Sequence, residues 1–255
     1  MENHEYILDF ISEKDFVSHV KNTIQEYHEI LQPIDLKKFN SNLIDPIKLL
    51  FDKTLLCLSD IDLVNGEISR QRDKSNNNAI GYFHQNMFKY IKNCTVPKTG
   101  WDIIVCKDDI TYFIELKNKH NTMNSSSSSK TYIKMQQHLI TESNQNIICA
   151  LVEVIAKRSQ NIPWQITIDN IRQKPCERLR RISIDKMYEI VTDDPCAFKK
   201  LCIQLEHTLR YLSSQIERIN DTAFKELKNI NPDIITALFL IAFPTYNAFD
   251  DIRWI

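Results

Sequence analysis

Residues 100–106 read GWDIIVC and residues 112–117 read YFIELK, with a short polar turn between the two segments. This pattern predicts two short β-strands joined in a hairpin. Successive side chains of a strand point to opposite faces, so Glu115 and Lys117 share one face while Ile114 and Leu116 share the other. A carboxylate and an ammonium within an apolar strand are costly to bury without partners. The hairpin is therefore the first candidate for a functional site.

The two segments also carry a pair of acids. Asp102 lies on the first predicted strand and Glu115 on the second, so a hairpin can bring their carboxylates together. Two carboxylates held close together do not both stay ionised easily, and a divalent cation resolves that repulsion. Mg²⁺ favours oxygen ligands, usually one or two carboxylates with water and substrate phosphate. The pair therefore predicts a magnesium site, to which the backbone carbonyl of Leu116 can add a ligand.

Lys117 supplies the positive charge that chemistry at such a site needs. On the same face as Glu115, its ammonium can contact a water and a phosphate oxygen, and it stabilises the charge that develops on phosphorus. The metal lowers the pKa of the water. Two acids, a lysine and a metal together indicate hydrolysis of a phosphodiester. Asp followed by Glu-x-Lys also occurs by chance as surface ion pairs, so the spacing alone leaves a purely structural role open.

The composition of the 255-residue chain excludes several classes of site. Its three glycines are too few for a glycine-rich phosphate loop or a dinucleotide fingerprint. None of its seven cysteines forms a Cys-x-x-Cys pair, which argues against a zinc ribbon and predicts reduced thiols in a cytoplasm. The polar N-terminus is unlike a signal peptide, and the longest apolar run, residues 234–243, is too short to span a bilayer. We therefore expect a soluble cytoplasmic protein without a membrane partner.

Helical patterns flank the hairpin on both sides. Apolar residues at three- and four-residue spacing predict an amphipathic helix that ends near Pro33, and Pro46 is well placed to begin another. Residues 147–155 form a nearly continuous β-prone run, typical of a central strand covered on both faces. Residues 164–168 alternate as in a strand nearer an edge. The predicted organisation is an N-terminal helical segment over residues 1–64, a core over residues 65–205 and a C-terminal helical segment over residues 206–255, within one compact domain.

A window without acidic residues follows the hairpin. From Leu116 to Thr141 there is no Asp or Glu, although the chain holds 33 acidic residues, and the window carries four lysines. The serine run at residues 125–129 alone would indicate a flexible linker. Beside the two carboxylates, the window instead predicts a surface that attracts a polyanion, followed by a helix over residues 130–142. A second basic stretch, residues 172–186, fits a solvated surface and a phosphate-contacting patch equally well.

The order Asp, hairpin, Glu-x-Lys, helix and strand resembles that of the PD-(D/E)xK nuclease superfamily. The sequence is similar in particular to type II restriction endonucleases of AsuI specificity, which cut GGNCC. The most distinctive stretch is the block Asn-Lys-His-Asn-Thr-Met-Asn at residues 118–124. The matching stretches are residues 70–75, 81–86, 115–126, 130–133, 152–157 and 181–186.

The resemblance implies an α/β fold, with a three-layer core in which helices flank a central mixed β-sheet, and with N- and C-terminal helical extensions. It also implies magnesium-dependent cleavage of double-stranded DNA that leaves 5′-phosphate and 3′-hydroxyl ends. Asp102 would be the motif aspartate, Glu115 the second acid and Lys117 the motif lysine. The residue before the aspartate is Trp101 rather than proline, a departure that the superfamily tolerates.

A near-palindromic target implies a two-fold symmetric homodimer in which each protomer cuts one strand. Arg or Lys would read guanine in the major groove. His84 and Gln85 fit equally well an approach to the site from the preceding helix and a packed face of that helix. A restriction enzyme also implies a cognate DNA methyltransferase as its genetic partner. The candidates for base or phosphate contacts are Arg70, Arg72, Lys119, His120, Asn121, Asn124 and Lys130.

Two alternatives assign the same residues differently. A repair or recombination nuclease of the same fold would recognise the structure of DNA rather than its sequence. A non-catalytic DNA-binding module would use Glu115 and Lys117 only as an ion pair. Cleavage of plasmid DNA at discrete sites distinguishes a restriction enzyme from both.

Overall fold

The computed structural model describes residues 5–120, 122–212 and 221–242. The chain divides into two compact units, one formed by residues 1–24 and 79–215 and the other by residues 25–78 and 216–255. Each unit contains a hydrophobic core of its own. The three segments predicted with boundaries at residues 64/65 and 205/206 are a different division of the chain and stay a prediction.

Helices account for most of the chain on both sides of the hairpin. Within the described ranges they are α1 (Glu13–Ile30), α2 (Leu36–Asn40), α3 (Pro46–Leu55), α4 (Asp60–Met87), α5 (Ser125–Thr141), α6 (Ile184–Thr192), α7 (Ala197–Leu212), α8 (Ala223–Ile230) and α9 (Ile234–Ala242), with a 3₁₀ turn at Phe88–Tyr90.

The predicted N-terminal helices are confirmed. The helix expected to end near Pro33 is α1, and Pro46 is the first residue of α3. The side chain of Asp45 caps α3 by accepting hydrogen bonds from the backbone N–H groups of Ile47 and Lys48. Helix α4 continues through the polar residues 65–77. Of the predicted C-terminal helical segment, the end of α7 and the helices α8 and α9 are described, and residues 213–220 and 243–255 lie outside the described residues. No described helix is long and apolar enough to cross a membrane.

The strands form one mixed sheet and one small ladder. Within the described ranges the strands are β1 (Cys94–Thr95), β2 (Ile103–Lys107), β3 (Ile110–Lys119), β4 (Ile147–Ile155), β5 (Asn161–Pro163), β6 (Thr167–Ile168), β7 (Ile171–Arg172) and β8 (Leu179–Ser183). The six-stranded sheet has the order β1-β2-β3-β4-β8-β5, and β6 pairs with β7 separately. Strands β3, β4 and β8 run parallel to one another, and the remaining pairings are antiparallel.

The predicted hairpin is confirmed as the antiparallel pair β2 and β3. Its two turn residues, Asp108 and Asp109, have φ angles of 50° and 62°, a left-handed conformation that Asp tolerates in tight turns. Residues 147–155 form β4, which lies between β3 and β8 and is buried along most of its length. The expected α/β class, with a central mixed sheet flanked by helices, is therefore confirmed.

Alternation along the strands divides the sheet into two apolar faces. One face packs Val105, Ile114 and Val152 against residues of α1, α6 and α7. The other packs Leu151 and Leu179 against α5 and against a buried tryptophan. Each face is covered, and the sheet is therefore the middle of three layers.

Two local predictions require correction. The strand expected over residues 164–168 is wrong for its first part: Trp164 is buried and packs edge-on against Tyr132 at 5.2 Å between ring centroids. Packing of this large side chain against α5 outweighs the alternating pattern, and β6 holds only residues 167–168. Helix α5 begins at Ser125, because the Asn124 side chain accepts a hydrogen bond from the Ser127 N–H and caps it. The helix predicted over residues 130–142 therefore begins five residues earlier than expected and includes the serine run.

Ile114 tests the importance of the sheet core. It is fully buried on β3, so Ile114→Ala removes packed methyl groups and leaves a cavity. We expect a loss of about 3 kcal/mol in the free energy of unfolding, measured by urea denaturation followed by circular dichroism. The matched substitution Ile140→Ala, at a position 81% exposed on α5, should cost less than about 0.5 kcal/mol. Equal effects of the two variants would contradict this description of the core.

Candidate active site

The hairpin brings Asp102 next to the part of β3 that carries Glu115. The register of the two strands ends with Ile103 opposite Ile114, and Asp102 lies just before β2. The Asp102 N–H donates to the Ile114 carbonyl at 3.0 Å, and the Leu116 N–H donates to Asp102 Oδ2 at 2.7 Å. The aspartate is therefore fixed across the strand pair by its backbone and by its side chain.

Burial destabilises the ionised form of the Asp102 carboxylate. Loss of solvent raises the pKa of Asp102 above its usual range and the negative charge of Glu115 adds to the rise, although the Leu116 N–H, Lys117 and Lys134 act in the opposite direction. From α4, the Gln85 side chain donates to the Asp102 carbonyl at 3.1 Å. The expectation that Gln85 approaches the hairpin is confirmed.

Glu115 is held between two lysines. Lys117 Nζ lies 3.5 Å from one carboxylate oxygen, and Lys134 Nζ donates to the other. The side chain of Glu115 is only 15% exposed, whereas those of Lys117 and Lys134 are 31% and 42% exposed. Each oxygen of a half-buried acid thus has a cation at its side. The three predicted residues Asp102, Glu115 and Lys117 lie together, and their catalytic roles stay a prediction.

Lys134 is the residue of this cluster that sequence reasoning did not assign to the site. It lies on α5, donates to the Gly100 carbonyl at 2.7 Å and has its ammonium 4.2 Å from the centre of the Trp101 ring. The signal in the sequence was its place in the acid-free window. Only packing of α5 on the sheet, however, brings it to Glu115.

A second charged cluster lies beside Lys117 on the same face of the sheet. Lys117 pairs in register with Glu153 of β4, whose side chain is 1% exposed. Arg181 of β8 binds both carboxylate oxygens of Glu153, one of them at 3.0 Å from its Nε. The Nδ1 atom of His120 lies 3.1 Å from Glu153 Oε2 and 2.8 Å from Arg181 Nη2. His120, which is predicted to contact DNA, therefore lies within hydrogen-bond distance of a buried carboxylate and an arginine.

The remaining candidates for DNA contact from the acid-free window have different surroundings. Lys119 and Lys130 are exposed, one at the end of β3 and the other on α5. Asn124 uses its side chain to cap α5. Asn121 lies outside the described residues.

The two predicted arginines lie on the part of α4 that belongs to the other unit. Arg72 donates from Nη1 and Nη2 to Asp221 at 2.9 and 2.6 Å, and its side chain is 18% exposed. Arg70 binds Glu67 through two hydrogen bonds, of 2.7 and 2.6 Å, and its side chain is 51% exposed. Both guanidinium groups therefore have acidic partners within their own unit.

His84 and the basic stretch at residues 172–186 show mainly structural contacts. Burial lowers the pKa of His84 to about 4, so this imidazole is neutral at physiological pH. Arg180 is paired with Glu177, and Lys186 with Glu189. These two basic residues therefore have acidic partners close by in sequence, and the choice between a solvated surface and a phosphate-contacting patch stays a prediction.

The residues present fit a divalent cation. The described residues contain no group of three or more His, Cys, Asp and Glu arranged around one metal. Two carboxylates are nevertheless what Mg²⁺ usually takes from a protein when phosphate and water supply the other ligands. Burial, and to a smaller extent the negative charge of Glu115, raises the pKa of Asp102, and a bound cation would offset both effects by stabilising the ionised carboxylate. Asp102 and Glu115, with the Leu116 carbonyl, are thus the groups that would hold the metal.

Comparison with known proteins adds an independent line of evidence. The model of the Eco47II restriction endonuclease family matches residues 8–214, a range that includes both charged clusters. The type II restriction enzyme Sau96I of Staphylococcus aureus is 35% identical over 205 residues, which cover 78% of each chain. The type II restriction enzyme Eco47II of Escherichia coli is 25% identical over 225 residues, 86% of this chain and 92% of that protein.

Arg181 tests whether the second cluster stabilises the sheet. Arg181→Ala leaves the buried Glu153 carboxylate without its principal partner, and we expect a loss of about 3 kcal/mol in the free energy of unfolding. Lys186→Ala is the control, because it breaks a pair whose side chains are 39% and 38% exposed and should cost less than about 1 kcal/mol. Denaturant unfolding of both variants at neutral pH measures the difference. If Arg181→Ala is as stable as the wild type, water solvates the Glu153 carboxylate well enough to replace Arg181.

Proposed function

Because this chain belongs to the Eco47II restriction endonuclease family and is a type II site-specific deoxyribonuclease, we propose that Asp102, Glu115 and Lys117 form its active site. The arrangement is of the PD-(D/E)xK type, it depends on Mg²⁺, and the target is GGNCC in double-stranded DNA. The single observation that carries this proposal is the meeting of these three side chains at the open end of the hairpin, with Asp102 fixed by the Leu116 N–H at 2.7 Å.

The roles of the acids follow from their surroundings. Asp102 and Glu115 would hold the cation, with the Leu116 carbonyl as a further ligand. A divalent cation in this position supplies neutralisation of the phosphate charge and a lowered pKa for a water molecule. The bond from Leu116 orients Asp102, and Gln85 fixes the backbone on which Asp102 lies. A carboxylate that is oriented in advance pays little to reorganise when its ligand arrives.

Lys117 acts on the phosphate and on the attacking water. Its ammonium lies beside Glu115 and its side chain is 31% exposed, so it can reach a bound DNA strand. From there it donates to a phosphate oxygen and stabilises the charge that develops during attack. Attack by water on phosphorus with departure of the 3′ oxygen leaves a 5′-phosphate and a 3′-hydroxyl.

The segment after β3 supports DNA as the ligand of this surface. It contains the exposed Lys119 and leads to the N-terminus of α5, the positive end of the helix dipole, which favours an anion such as phosphate. Lys130 adds a second exposed cation on the same helix. We assign phosphate contacts to these lysines. Arg70, Arg72, His120, Asn121 and Asn124 remain candidates for base or phosphate contacts, although the pairing of Arg72 with Asp221 favours a structural role for it.

The wider setting follows from the proposed target. A near-palindromic site calls for a homodimer in which each protomer cuts one strand. Host protection calls for a DNA methyltransferase of the same specificity. All seven cysteines are outside disulfides, which supports a location in a reducing cytoplasm.

Lys117→Ala tests the catalytic assignment. We expect cleavage of plasmid DNA in Mg²⁺ to fall by at least about a hundredfold, because one preorganised positive charge next to the reacting phosphate is lost. Affinity for duplex DNA, measured by fluorescence polarisation, should change by less than about tenfold, since other cations carry the non-specific attraction. Lys199→Ala, which removes an exposed lysine on α7, is the control for the change in net charge. If the wild type binds DNA but does not cleave it in Mg²⁺, the protein is a binding module and the catalytic assignment fails.

Mapping of the cleaved ends tests the specificity. Digestion of a sequenced plasmid should give discrete fragments whose ends all fall at GGNCC and carry ligatable 5′-phosphates. Discrete ends at another sequence would keep the restriction enzyme and reject GGNCC. Cutting confined to branched junctions would instead support a structure-specific nuclease.

A further inference from the structure

Lys134 connects three groups that otherwise belong to separate parts of the chain. Its ammonium donates to Glu115 and to the Gly100 carbonyl, the latter at 2.7 Å, and lies over the Trp101 ring at 4.2 Å. It approaches Glu115 from α5, on the side opposite to that of Lys117. With 42% of its side chain exposed, Lys134 is the more accessible partner of this pair, because only 15% of Glu115 is exposed.

The charges of the cluster formed by Asp102, Glu115, Lys117 and Lys134 sum to zero when all four groups are ionised. Asp102 and Glu115 contribute two negative charges, and Lys117 and Lys134 contribute two positive charges. A divalent cation added to this set would bring two further positive charges next to two ammonium groups. Two DNA phosphates, with one negative charge each, would restore the balance.

We propose that Lys134 is a positioning residue that makes binding of a divalent cation at Glu115 depend on bound DNA. This inference rests on the proposed function of the same site. Without DNA, Lys134 engages one oxygen of Glu115 and repels an arriving cation. A DNA phosphate offers Lys134 an alternative acceptor, and its exposed, flexible side chain can exchange the carboxylate for the phosphate. Glu115 is then available to the cation, so cation and DNA each strengthen the binding of the other.

The competing explanation is that Lys134 only ties α5 to the backbone at Gly100. The two explanations predict different effects of removing the Lys134 ammonium. If Lys134 only holds α5 in place, its loss lowers thermal stability and does not change the cation affinity of the DNA-free protein. Loss of a repelling charge raises the cation affinity of the DNA-free protein.

The test is a calorimetric titration of the full chain with Ca²⁺, without DNA and with a saturating GGNCC duplex whose integrity is checked on a gel. For Lys134→Gln we expect Ca²⁺ affinity without DNA to rise by about tenfold, which is the effect of one unit charge a few ångströms from a divalent ion even in a water-like dielectric. The gain in Ca²⁺ affinity caused by DNA should shrink correspondingly. Fluorescence polarisation, with and without Ca²⁺, should show the same loss of coupling in the affinity for DNA.

Two variants serve as controls. Lys134→Arg keeps the charge and should keep the dependence on DNA. Lys199→Gln removes an exposed lysine from α7, a helix that packs on the other face of the sheet, and should leave both Ca²⁺ affinities as in the wild type.

The proposal is overturned if Lys134→Gln binds Ca²⁺ without DNA within twofold of the wild type, whether or not its melting temperature falls. Glu115→Gln separates this failure from failure of the proposed function. If Glu115→Gln abolishes Ca²⁺ binding to the DNA complex while Lys134→Gln changes nothing, only the role of Lys134 is wrong. If Glu115→Gln also leaves Ca²⁺ binding intact, the metal site itself has been misassigned.

Discussion

Two carboxylates at the half-buried end of a β-hairpin impose the constraint on which the site depends. Neither Asp102 nor Glu115 can lie there without compensation, because burial raises the free energy of each anion. The chain supplies the compensation in two ways. A backbone N–H at Leu116 binds Asp102, and ammonium groups from β3 and α5 flank Glu115. The positions of Lys117 and Lys134 thus follow from a requirement of the fold as well as from the chemistry.

Helix α5 links the core of the sheet to the proposed DNA surface. Its buried side chains at positions 132, 135 and 139 pack on β4, so one face of the helix is buried in the core. That packing fixes the orientation of the other face, and Lys134 reaches Glu115 as a result. The capped N-terminus at Asn124 then comes directly after the polar segment that leaves β3. Apolar contacts that place the helix therefore also position the charged side chain of Lys134 beside Glu115.

Local pattern predicts the hairpin, the central strand and the helix that begins at Pro46, because each of these depends on neighbours in sequence. It places the start of α5 at Lys130 instead of Ser125, since the capping hydrogen bond at Asn124 extends the helix through the serine run. It also misjudges Trp164, whose place is decided by packing against Tyr132. The contacts of Lys134 with Glu115 and of Arg181 with Glu153 span 19 and 28 positions. Residue spacing carries no information about such pairs until the sheet order is known.

The two charged clusters together form a polar line across four strands. Asp102 precedes β2, and Glu115 and Lys117 lie on β3. Lys117 pairs in register with Glu153 on β4, and Arg181 of β8 binds the Glu153 carboxylate. Lys117 and Glu153 lie toward the carboxyl ends of the parallel strands, the edge where open α/β sheets place their ligand sites. Three acids meet the three basic residues Lys117, Lys134 and Arg181 here, so the face is close to electroneutral although it is rich in charge. A surface balanced in this way gains little from a cation alone or from a phosphate alone. It favours the arrival of both, which is the combination that the proposed magnesium-dependent cleavage of DNA requires.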